Sequence, residues 1–166
     1  MTLAEWHKVA ACLVCAGIGM VVAASGDMAK GAEPAATVSA AEAEGIIFER
    51  QQIMLQLEKD TDLLGDIAAG VAPASQLPAT ARAVANGARD AARSFEDKVP
   101  GGRSKPEVWS NHADYMQRMQ QFATATEAMA KLAETGNVPA VTSMLADALP
   151  CKQCHDVYRE PKKPGA

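Results

Sequence analysis

Three glycine and proline breaks divide the chain between Ser39 and Glu160. They are Gly70 to Ser75 with Pro73 inside it, Pro100-Gly101-Gly102, and Gly136 just before Pro139. The pieces between them carry apolar residues at helical spacing, so the breaks predict four helical segments. Ser39 followed by Glu42 marks a helix start, and the first helix is expected from Ser39 to Ala69. Ile47, Arg50, Met54, Leu57, Thr61 and Leu64 fall on one of its faces. The second is expected from Pro78 to Lys98, with Ala81, Val84, Ala88, Ala91 and Phe95 as a small-residue stripe suited to close packing. The third opens near Pro106, because proline suits a first helical turn. It carries Trp109, Met116, Met119, Ala123 and Ala130 on its face. The fourth runs from Pro139 to about Glu160, and Pro150, lacking an N–H, must kink or restart it. Aromatics are only 4% of the 166 residues, and strands favour aromatic and β-branched side chains. The expected architecture is all-α, an antiparallel up-down four-helix bundle formed as one domain by residues 39–166.

What precedes the bundle reads as an address. Val9 to Ala24 is an uncharged apolar run, Lys8 stands before it, and Val22-Ala23-Ala24 offers small residues for cleavage. The run is shorter than the roughly 20 residues that span a bilayer. Residues 1–24 are therefore read as a secretory signal, with an uncleaved membrane anchor as the alternative, and residues 25–38, rich in Gly, Ala and Pro, as a linker. Export implies the periplasm in a bacterium. The formal net charge of −4 argues against a nucleic-acid partner, which calls for a basic patch.

Four cysteines form two pairs. Cys12 and Cys15 lie in the apolar leader and have no expected chemistry. Cys151 and Cys154 stand in "ALPCKQCHDVYRE", beside His155, on the last helix. Residues three and four apart are neighbours on a helix surface, so two thiols and an imidazole share about one face. That is the signature of a covalently attached c-type haem: two sulfurs join its vinyl groups and the adjacent imidazole reaches the iron. A Cys151–Cys154 disulfide needs no His155. A zinc site normally takes four protein ligands, and His112 is the one other histidine outside the leader. A thioredoxin-like motif belongs in a βαβ setting.

The chain resembles the class II c-type cytochromes, that is, cytochrome c′ and its low-spin relatives of the cytochrome c-556 type. The resemblance covers about Ala41 to Arg159. It rests on "CKQCHDVYR", on "KPEVWS" from Lys105 to Ser110, and on "ERQQIM" from Glu49 to Met54. It implies one haem c, held through two thioethers by Cys151 and Cys154, with His155 as iron ligand. By the same resemblance Arg50, with Gln51 beside it, lies near a haem propionate. A solvated Arg50 at the core's edge is the plainer alternative. Met54, four residues on, faces the distal side of the iron and is the candidate second axial ligand, as against a methionine that merely fills the core. Trp109 packs against the haem or belongs to the ordinary core. Arg159 covers the proximal side four residues after His155, and His112 is expected at an edge.

These assignments imply an exported one-electron carrier with His/Met ligation, serving other redox proteins of an electron-transport chain. It is not expected to be an enzyme, since no nucleophile–base set or carboxylate pair stands out. The alternative is a five-coordinate, cytochrome c′-like protein that takes the small gases NO or CO at an open distal site. A haem-free helical interaction protein is the third reading. Helix-face association into a homodimer occurs in the family, and the small-residue second helix permits it.

Overall fold

The computed structural model describes residues 38–162. The signal assigned to residues 1–24 and the linker assigned to 25–38, all but its last residue, lie outside them. The helices are α1 (Ala40–Ala68), α2 (Leu77–Ser94), α3 (Glu107–Ser110), α4 (His112–Ala133), α5 (Val138–Ala148) and α6 (Cys151–Tyr158). Long helices α1, α2 and α4 form three columns of a four-helix bundle, and α5 supplies the fourth, continued by α6. Around the bundle α1 lies beside α2 and α5, and α4 also lies beside α2 and α5. Short links make neighbours antiparallel.

α1 begins where its capping pair predicts. The Ser39 hydroxyl accepts from the Glu42 N–H at 3.3 Å, and the Glu42 carboxylate accepts from the Ser39 N–H at 2.9 Å. This satisfies two donors that a helix start otherwise leaves orphaned. Of the expected face, Arg50, Leu57 and Leu64 are buried, and Ile47, Met54 and Thr61 are half-buried. The α2 stripe of Ala81, Val84, Ala88 and Ala91 is fully enclosed within the bundle. It is therefore spent inside the protomer and gives no support to a homodimer face. Its smallness brings α1 close: a Cβ on Gly87 would lie 2.9 Å from the Leu57 side chain.

Two helix boundaries differ from the sequence reading and a third, expected as a kink or a restart, is decided, all towards the same end of the bundle. α2 stops at Ser94 rather than Lys98. The carbonyls of Ser94, Asp97 and Val99 turn instead to the Arg50 guanidinium, which accounts for the early stop. The expected third helix is broken at Asn111, whose φ of −118° and ψ of 43° are not helical, leaving the one-turn α3 ahead of α4. The fourth is interrupted at Leu149 and Pro150, and Pro150 becomes the residue capping the start of α6. Restart, rather than kink, is the outcome at Pro150. At the opposite end the turns are simple: Gly70 and Gly136 adopt positive φ after α1 and α4, as helix stops commonly require.

Candidate functional site

α6 has eight residues and cannot hold itself together in isolation. Two neighbours fix it. The loop before α3 pairs with its C-terminal end: Lys105 N–H donates to Tyr158 O at 3.0 Å, Glu160 N–H to Arg103 O at 2.8 Å, and the Arg103 guanidinium to Glu160 O at 2.6 and 3.0 Å. On the other side the Tyr158 hydroxyl donates to the Asp114 carboxylate on α4, which also accepts from Arg118 Nε at 2.8 Å. The helix carrying Cys151, Cys154 and His155 is thus tied to α4 and to a loop.

Cys151 is exposed, Cys154 and His155 are half-buried, and both thiols are unpaired. Burial raises the pKa of both cysteines, so each stays a protonated thiol. Burial also lowers the pKa of His155, and the cations of Arg159 and Arg103 push it the same way. The imidazole is therefore held neutral, the form that ligates a metal. Among the described residues no three His, Cys, Asp or Glu side chains converge as a metal cluster, so the zinc reading finds no further ligands.

On α1, Met54 is half-buried and packed against the core. Glu58, one turn along α1, is near enough to His155 to act on its charge. The imidazole thus lies within electrostatic reach of the α1 turn that follows Met54. Arg159 is exposed and its charge reaches His155 and Cys151. Gln51 is exposed, with its amide nitrogen beside Gly102.

Arg50 departs from expectation in its partners. It is only 4% exposed, so it is not a solvated edge residue. Its guanidinium donates to Ser94 O at 2.7 Å through Nε, to Val99 O at 2.6 Å through Nη1 and to Asp97 O at 2.8 Å through Nη2. It also lies 4.4 Å from the Phe95 ring centre and 5.3 Å from that of Trp109. These carbonyls, not a carboxylate, are its partners within the protein; one N–H on each terminal nitrogen is left over. Trp109 is half-buried, stacked on Phe95 at 6.0 Å and on His112 at 6.3 Å. His112 Nε2 lies 2.8 Å from Phe95 O, so this ring is committed to the α2 end and is no loose edge histidine.

Tyr115, Phe95, Asp114 and Arg118 belong to this neighbourhood and carried no assignment from the sequence. One signal was present. The chain has three Phe, two Trp and two Tyr, and four of these, Phe95, Trp109, Tyr115 and Tyr158, meet at this end. Scarce aromatics gathered in one place mark a site, but their sequence spacing follows no single helix face.

A family description, "Cytochrome C′", matches residues 45–159. The chain belongs to the cytochrome c′ family. Two curated cytochromes c′ are similar to it: one from Alcaligenes xylosoxydans xylosoxydans, 32% identical over 69 residues, and one from Rubrivivax gelatinosus, 31% identical over 65. Those stretches are 41% and 39% of this chain, and 54% and 50% of the relatives, so the match spans about half the length of each. Among solved structures, a nitric oxide complex of a mutant cytochrome c prime from Alcaligenes xylosoxidans superposes with a TM-score of 0.67 at 25% identity. It covers 72% of this chain and 97% of that one. A ferric cytochrome c prime from the same organism gives 0.66 at 25%, with the same coverage. The class II resemblance, the four-helix bundle and covalent haem c as cofactor therefore stand. The residues fit the group: two protonated unpaired thiols and a neutral imidazole share one helix, and buried polar groups with donors to spare lie close by.

Proposed function

We propose that this cytochrome c′ family member binds a small diatomic gas, NO or CO, at the haem face turned towards α1. Cys151 and Cys154 hold the group by thioethers, His155 is its proximal ligand, and the haem supplies an iron that takes a sixth ligand. The observation that carries the reading is the state of Met54. Its side chain is packed against the core, where methionine serves as an adaptable filler, and His112 is engaged elsewhere. Met54 is the one methionine on α1, which carries no His or Cys, and it is already accommodated by packing. The nitric oxide complex among similar structures supports the same reading. Arg159 and Arg103 act on the proximal imidazole through charge. Release or capture of a gas is binding rather than turnover, in keeping with a chain not expected to be an enzyme, and the apolar leader supports export to the periplasm.

A second reading has its own support. Met54 lies on the side of α1 that reaches towards His155 through Glu58, and a thioether ligand there would favour ferrous iron and one-electron transfer to redox partners. Optical spectra of ferric and ferrous holoprotein, with and without CO, separate the two. A high-spin spectrum that changes on adding CO, and is unchanged in kind by Met54→Ala, is expected. A low-spin spectrum with a sulfur-to-iron band, abolished by Met54→Ala, would instead establish His/Met ligation.

A further inference from the structure

Tyr115 is the unexplained polar group of the site. It sits on α4, 4% exposed, edge-on to Phe95 at 5.1 Å and to Tyr158 at 5.0 Å. Tyr158 has Asp114 as acceptor. Tyr115 has no hydrogen-bond partner among the described residues, although every fully enclosed side-chain nitrogen or oxygen there has one. Its hydroxyl must therefore open onto unfilled space rather than onto protein atoms. Arg50 on α1 and Cys154 and Tyr158 on α6 are the charged and titratable groups close enough to act on it, with Asp114 and Arg118 behind Tyr158. Desolvation keeps the phenol protonated, so it is a permanent donor.

With no partner on the protein, the Tyr115 hydroxyl is free to donate to whatever group occupies that space. Haem carried by the cysteines of α6 would enter this space, and it is an apolar ring whose strong acceptors are its two carboxylates. We propose that the Tyr115 hydroxyl donates a hydrogen bond to a haem carboxylate, alongside the N–H groups that Arg50 has left over. The inference rests on the haem assignment: a chain that fails to take haem shows no c-type absorption at all, which separates failure of that assignment from failure of this one.

The test is Tyr115→Phe in the haem-loaded protein, with Tyr158→Phe as control. Resonance Raman spectroscopy reads the carboxylate bending band, and redox titration across pH reads the carboxylate's ionisation. A hydrogen bond to the ionised carboxylate lowers its pKa and masks its charge. Its loss is expected to shift the bending band, to move the inflection of midpoint potential against pH to higher pH, and to lower the potential above that inflection. Tyr158→Phe is expected to leave the carboxylate band in place. A Tyr115→Phe protein with wild-type band and inflection overturns the proposal, as does a change confined to the iron–CO vibrations, which would put the hydroxyl on the gas side. Should Tyr115→Phe fail to accumulate, 3-fluorotyrosine at this position, a stronger donor, is expected to shift the band in the opposite sense. No shift there would equally overturn it.

Discussion

The two ends of the bundle are built differently. At the end where α1 meets α2 and α4 meets α5, the interior is Leu64, Ile67, Leu77 and Val141, with Thr80 and Thr126 as its buried polar residues, the turns rest on Gly70 and Gly136, and the charged groups stay at the rim, in the Arg82–Glu127–Arg89 pairs with Glu134. At the other end a guanidinium is buried under two aromatic rings, and the two unforeseen helix boundaries, at Ser94 and Asn111, occur there together with the Pro150 restart. The difference shows where the fold departs from the simplest bundle. Small and branched apolar residues suffice to close the plain end, whereas the cofactor end holds polar groups in place by spending main-chain carbonyls that a longer helix would have used.

The largest blow to that contrast is Arg50→Met. It leaves the carbonyls of Ser94, Asp97 and Val99 without their donor, and hydrogen bonds to a charged group contribute about 1.5–3 kcal/mol each. Loss of roughly 4 kcal/mol in urea unfolding is expected. Arg50→Lys should recover little, because a point charge cannot reproduce the fork. Unfolding within 1 kcal/mol of wild type would dissolve the distinction between the ends.

Next come two glycines of the same sign of φ. Gly101 has a φ of +147°, and a Cβ there would meet Ile47 Cδ1 at 2.3 Å; Gly136 has a φ of +71° and nothing within 4 Å. Gly101→Ala is expected to cost about 2–3 kcal/mol through strain and overpacking, and Gly136→Ala about 1 kcal/mol through backbone strain alone. Equal midpoints in denaturant would mean the cofactor-end loop is no more tightly fitted than the plain turn.

The smallest effects compare two carboxylates. The Tyr158 hydroxyl, then Arg118, lowers the Asp114 pKa; Arg82 does the same for Glu127. Both contribute stability present above the ordinary carboxylate range and lost as pH falls through the lowered value. Asp114→Asn should flatten the acid limb of a stability–pH curve even in high salt, because its main partner is a neutral phenol. The flattening from Glu127→Gln should fade with salt, as exposed ion pairs do. Identical salt responses would contradict the assigned partners.

Much of this was written locally in the chain. Ser39 and Glu42 fix the start of α1, Pro150 the restart before α6, and Cys151, Cys154 and His155 the chemistry, because each signal acts over a few residues. Arg50 was legible as a residue needing a partner, but the partner was not. The carbonyls it takes lie 44 to 49 positions away, and a carbonyl has no sequence signature. The Asn111 break was hidden for the same reason: "KPEVWSNHADY" has no breaker inside it, and stacking of Trp109 between Phe95 and His112 accompanies the turn. Tyr115 carries no such signal, because a tyrosine on an apolar face looks like core until its hydroxyl is found to have no partner on the protein.

Pro150 leaves α6 joined to α5 by a joint that lacks a main-chain donor, while its far end is riveted to residues 103–105 and, through Tyr158, to α4. α6 is therefore held asymmetrically, and any displacement of its C-terminal half is felt first by the Arg103–Lys105 loop and Asp114.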